Sequence, residues 1–190
     1  MRNTKMQVLG FLGAAALAVG LAALPKAQSV HVKVTPVEPR PEDVGSIEGI
    51  VKASYETISG GVGVPRQWGR DRSLYDPSVR FVAISVNPQT GAVKSTSTSH
   101  QEFVDESDSF MVKDGFTERE LGRKIERFGN VATVLSSYEG KVTSTGKVIT
   151  RGVNLFQLYF DGKRWWILSM VWDEERADNP IPAELLPTGH

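Results

Sequence analysis

The sequence predicts an α+β domain, on three observations. Apolar residues in the first half recur at helical spacing. The second half holds four runs of alternating β-branched and aromatic residues, and two of the joints between runs, Gly129-Asn130 and Asp161-Gly162, are tight-turn signals. A two-residue hairpin loop needs positive φ, which glycine and asparagine adopt at little steric cost. At 190 residues, 40% hydrophobic and 23% charged, the chain can bury one core of its own. Its 22 basic residues balance 22 acidic ones, so no electrostatic footprint for nucleic acid exists.

Along the chain, Arg2 and Lys5 precede an uncharged apolar run from Val8 to Leu24. Residues 1–27 therefore read as a signal peptide with Ala27 at the cleavage point, and the protein is expected to be exported, periplasmic or secreted. If the run were retained, the same stretch would sit at the short limit for an inner-membrane anchor. Cysteine is absent, which removes disulfides, thiol chemistry and lipid attachment through cysteine. Residues 28–40 carry prolines and no helical period, an extended linker in which His31 is solvated.

The domain is placed at 41–176. Pro41, Glu42 and Asp43 suit a helix start, and Ile47, Ile50, Val51, Ser54, Tyr55 and Ile58 continue at i, i+3, i+4 spacing to Ser59-Gly60-Gly61. A short second helix carries Trp68, Leu74 and Tyr75 and ends before Pro77. A strand follows from Val79 to Ile84, then a polar turn at Asn87–Gly91. Ser95–Ser99 reads as a hydroxyl-rich turn. Ser99 and Glu102 form a capping box for a third helix from about His100 to Ser109. Strands are expected at 117–128, 131–140, 147–160 and 163–173, and residues 177–190 form an irregular tail.

Strict alternation in the last strand puts Trp166, Leu168, Met170 and Trp172 on one face and Trp165, Ile167 and Val171 on the other. In the strand before it, Phe156, Leu158 and Phe160 oppose Val153, Leu155 and Tyr159. Both faces are apolar, so something must cover each. Helices cover one; the other is expected to meet a second copy, a homodimer through the sheet, unless the N- or C-terminal tail lies over it.

Three helices followed by a curved antiparallel sheet is the order of the NTF2-like, or SnoaL-like, cone, and the chain resembles that superfamily over roughly residues 41–176. The stretches that carry the resemblance are EGIVKASYETISG, RQWGRDRSLYDPSVRF, GFTERELGRKIERFGNVATVLSSYEGK and RGVNLFQLYFDGKRWWILSMVWDEE. It looks most like the small exported bacterial members. The resemblance implies a conical cavity lined by Tyr55, Trp68, Phe103, Phe110, Phe128, Tyr159, Trp166 and Trp172. It also places Tyr55 where the oxyanion-donating tyrosine of ketosteroid isomerases lies.

Proton abstraction would need a carboxylate or imidazole in an apolar pocket. His100, at a helix start, reads as a surface residue, and no metal site is supplied. Asp71, Asp76, Asp105, Asp108, Glu118, Glu120 and Glu126 remain as possible bases. Asp105 and Asp108 share one side of the third helix. Glu118, Glu120 and Glu126 alternate with Arg119, Arg123 and Arg127 as a solvated strand ladder. The expected function is non-catalytic binding of a small apolar ligand in the cone, dimeric assembly, or both, with no cofactor. The alternative is a lyase or isomerase of the ketosteroid-isomerase or polyketide-cyclase type. A carboxylate inside the cone near Tyr55 would keep that alternative open.

Overall fold

A computed structural model describes residues 30–187. The expected signal peptide lies outside the described residues. The element order is α1 (Pro41–Val44), α2 (Ile47–Ile58), α3 (Trp68–Arg72), β1 (Tyr75–Val86), β2 (Val93–Thr98), α4 (His100–Asp114), β3 (Phe116–Phe128), β4 (Val131–Val142), β5 (Val148–Phe160) and β6 (Trp165–Glu174), with a single 3-10 turn at Ala183–Leu185. The strands form one sheet ordered β2-β1-β6-β5-β4-β3. Every neighbouring pair is antiparallel except β1 with β6.

The helix expected from Pro41 is two helices. The chain turns at Gly45, and Ser46 restarts it as the N-cap of α2, accepting from the Gly49 amide at 2.9 Å. Ile47, Ile50, Val51 and Tyr55 of α2 are then buried against the sheet, each aliphatic side chain contributing roughly 1.5–3 kcal/mol. The capping box at Ser99 is present in both directions, and α4 runs past Ser109 to Asp114 before stopping at Gly115.

Two local readings need correction. Ser95–Ser99 is not a turn: Val93–Thr98 is an edge strand, with Ser97 opposite Val82 and Thr96 opposite Ala83. A half-exposed edge has no apolar alternation to announce it. Pro77 lies inside β1, which begins at Tyr75. The strand tolerates it because pairing with β6 is irregular between Tyr75 and Arg80, where the Ser78 amide turns to the Asp76 carboxylate at 2.7 Å.

The hairpin turns stand where expected, but of the four residues Gly129, Asn130, Asp161 and Gly162 only the two glycines take positive φ, at 56° and 95°; no non-glycine residue among those described does. The β3-β4 loop is two residues long, whereas four residues, Asp161–Arg164, join β5 to β6.

Two bulges decide which side chains face inward. In β6 the register slips so that Gln157 pairs with Ser169 but Leu158 with Ile167. Leu168 is the extra residue, and the alternation resets around it. Trp165 and Ile167 thus join the core on the same face as Met170 and Trp172, while Trp166 lies outside, stacked on Tyr159. The expected grouping of Trp166 with Met170 and Trp172 is overturned by this one residue. In β3 a second slip, between Glu120 and Gly122, does the same.

The outer face is partly covered by the chain itself. Ile181 and Leu185 are buried, and Ser137 on β4 donates to the Leu185 carbonyl. Gly122 permits this approach, since a Cβ there would stand 2.6 Å from the Leu185 oxygen. The segment before α1 is also docked. Val32 and Val34 pack on the cluster of Trp68, Val104, Met111 and Phe116, and the Val32 amide donates to Asp105 at 2.8 Å.

Candidate functional site

The concave face changes character from one end to the other. Across β6, β5, β4 and β3 one row reads Met170, Phe156, Val134, Ile125. The next reads Trp172, Asn154, Ser136, Arg123, and the one after it Glu174, Gly152, Tyr138, Glu120. Beyond that, Thr150 and Gly140 lead to Glu118. The apolar rows pack against α2 in the main core. At the polar end α2 lies on β3 and α4 on β1 and β2. Between them Trp172, Glu174, Thr150 and Glu118 keep partial exposure although β5 and β6 are interior strands.

A directed hydrogen-bond chain crosses this end. Ser136 donates to Glu120 Oε1 at 2.6 Å, and Glu120 is ion-paired with Arg123. Ser136 has then spent its one hydrogen, so the Tyr55 hydroxyl, 2.7 Å away, donates to it. Tyr55 in turn accepts from the Asn154 amide at 3.1 Å. Burial, with the nearby Glu118 charge second, holds the Tyr55 phenol far above its ordinary range. Tyr138 is raised by the same two causes in the same order. Both are neutral hydroxyls at any physiological pH.

Glu118 is the outlier of the site. Burial pushes its carboxyl up to about 7, and only the Asn154 amide beside it pulls the other way. The expectation of a solvated ladder fails at the bulge: Glu118 and Glu120 precede it and point inward, while Arg123, Ile125 and Arg127 face inward after it, opposite buried or inward residues of β4. Gly122 in mid-strand is the signal that marks such a bulge in sequence.

The other acidic candidates serve structure. Asp105 accepts from Gln101 and the Val32 amide and meets His31, itself mostly exposed, at 3.1 Å. Asp108 accepts from the Trp68 indole at 2.6 Å. Asp76 accepts from Tyr159 at 2.6 Å. Glu126 is exposed beside Lys124. His100 is no surface residue: it is 4% exposed, with Nε2 2.8 Å from Asp71, whose other oxygen accepts from Thr57 at 2.6 Å. Its ring lies against Tyr75 and Phe81, so aromatic packing draws it inward.

Of the aromatic candidates, Tyr55, Phe103 and Trp172 belong to the concave side, packing in or against the main core. Trp68 and Phe110 belong to the cluster under α4. Phe128, Tyr159 and Trp166 are on the outer side: Phe128 is 87% exposed, and with Val131, Tyr159 and Leu168 it lines a groove of about 420 Å³.

No family model matches the chain, and no curated protein matches it. Solved structures similar to it include an NTF2-like protein of unknown function from Shewanella baltica, at 12% identity and TM-score 0.43, over 67% of this chain and 86% of that one. A ketosteroid isomerase-like protein from Parabacteroides distasonis has 13% identity and TM-score 0.44, over 70% and 90%. The association domain of CaMKII from C. elegans has 13% identity and TM-score 0.46, over 67% and 92%. Such identities carry no activity across. The order of elements, short helices and then a curved six-stranded sheet with α4 between β2 and β3, is an α+β fold similar to that of these NTF2-like structures.

Proposed function

We propose that this is an exported binding module that holds a small, largely apolar ligand on the open polar end of its concave face. The observation that carries the reading is the polar cluster of the concave face, where the Glu118 carboxyl, raised by burial, lies near Tyr55, Tyr138 and Asn154, while Trp172 on β6 keeps partial exposure. Perturbed acids in clefts concentrate at functional sites. Binding is favoured over isomerase chemistry by the direction of the hydrogen-bond chain. Tyr55 gives its hydrogen to Ser136, so stabilising a developing oxyanion would require breaking that bond first.

Ligand-observed saturation-transfer NMR with a panel of small aromatic molecules tests this. Binding should be lost in Trp172→Ala and kept in Trp166→Ala on the outer face. Equal loss in both variants, or no binding by the wild type, would refute it.

A second reading, self-assembly, draws on the outer groove. Phe128, Val131 and Leu168 are exposed there at 87%, 54% and 41% next to Tyr159, a contiguous apolar patch that the C-terminal turn leaves open. Sedimentation should show a dimer that Phe128→Asp converts to monomer; a wild type that is monomeric at high concentration would end this reading. Export itself rests on residues 1–27 and is checked by the N-terminal sequence of the mature protein.

A further inference from the structure

The sheet ends in two edge strands, β2 and β3, and they are protected unequally. An edge turns unpaired amides and carbonyls outward, a template for a further strand, and proteins blunt it with cover, bulges or charge. β3 has all three. Gly60 exchanges backbone hydrogen bonds with Phe116 at 2.7 and 3.0 Å, and the Ser59 hydroxyl accepts from the Glu118 amide at 2.9 Å. Leu121 interrupts the register, and Arg119, Arg123, Lys124, Glu126 and Arg127 charge the strand.

β2 differs on each count. Its register with β1 runs without a slip from Val86 opposite Val93 to Phe81 opposite Thr98. Four of its six residues are serine or threonine, and Lys94 is its one charge. Its residues are exposed or half-buried, Val93 at 70%. The hairpin that opens the strand fixes which groups are free. The Asn87 amide donates to the Ala92 carbonyl at 2.9 Å, so alternation makes Lys94, Thr96 and Thr98 the residues that bond β1. Val93, Ser95 and Ser97 turn their backbone groups away from the sheet. Arg80 claims the Ser97 carbonyl at 3.3 Å; no other element among those described pairs with this side of β2.

We propose that β2 is an assembly edge, where two copies of the chain join antiparallel, β2 to β2, about a two-fold axis at Ser95. The register follows from charge and from the free groups. An axis at Lys94 would oppose two like charges. An axis at Thr96 would leave Val93 unpaired. At Ser95 the free residues all pair, Ser95 with the partner's Ser95 and Val93 with the partner's Ser97, and Lys94 falls opposite the partner's Thr96. This edge lies across the sheet from the outer groove on β3 to β6, and the two contacts are independent. Six residues a side make a small interface, so the association is weak and transient.

The chain has no cysteine, so single replacements in the full chain report the register. Two opposed Ser95 Cα atoms stand about 5.5 Å apart, within the roughly 4.4–6.8 Å that a disulfide spans. Two Val93 residues are four positions out of register, ~13 Å apart. On oxidation Ser95→Cys should form a covalent dimer, as should a mixture of Val93→Cys and Ser97→Cys chains, while Val93→Cys alone should not. Adding Ser95→Pro to the mixture should abolish its cross-link, because proline removes an outward amide that β1 does not use. The Ser95→Cys cross-link should survive Phe128→Asp. Equal cross-linking of Ser95→Cys and Val93→Cys, none at either, or loss of the Ser95→Cys cross-link in Phe128→Asp would overturn the proposal. Should the proline variant not fold, the pattern of the single cysteines decides alone.

Discussion

The two faces of one sheet meet water on different terms, and the difference lies in what each was left to bury. The outer face is closed over β3 and β4 by the chain's own C-terminal turn, with Leu185 lying on Gly122 and Ser137, and is open and apolar around Phe128. The inner face is closed at its apolar end by α2 and is polar at the other, where Glu118 is partly exposed. An open apolar patch calls for a surface; a carboxyl buried among tyrosine hydroxyls marks a candidate site.

The contrast breaks most sharply at two phenylalanines. Phe156→Ala, in the inner core and fully buried, should cost about 3–5 kcal/mol by urea denaturation. Phe128→Ala should change the stability of a monomer by less than ~0.5 kcal/mol. A large and concentration-dependent loss at Phe128 would show a second copy on the outer face. Next in size is Leu185→Ala, 2% exposed, expected to cost about 2–3 kcal/mol. A negligible effect would mean that the C-terminal turn is no part of the outer face.

The third effect depends on pH. Glu118 has its folded pKa raised from 4.5 to about 7, so the folded state holds its proton more tightly than the unfolded chain does. Its relative stabilising contribution is full below the unfolded value and is lost as pH rises through about 7. Glu118→Gln should therefore gain roughly 1–3 kcal/mol over wild type at pH 8 and nearly nothing at pH 4. A gain independent of pH would point to packing instead of charge.

Much of this architecture is legible in the residues. Ser99 and Glu102 announce α4, and Gly129-Asn130 announces a hairpin, because caps and turns are local chemistry. Period-2 alternation locates β3 to β6. It misassigns their faces, because a single inserted residue, Leu168 in β6 or Leu121 in β3, reverses everything beyond it. The candidate site suffers most from that. Glu118 reads as one rung of a charged ladder until the bulge turns it inward. His100 reads as exposed until Tyr75 and Phe81 draw it in. Tyr55 is placed correctly on the inner face, but its commitment to Ser136 is a contact 81 residues away in sequence, which no local pattern encodes.

Everything proposed for the concave face turns on the protonation of Glu118. Titration of its side-chain carboxyl by carbon-13 NMR, assigned against Glu118→Gln, measures it directly. The account predicts a midpoint near 7. A midpoint in the ordinary carboxylate range, below about 5, would mean that the carboxyl is solvated or paired, and would contradict it.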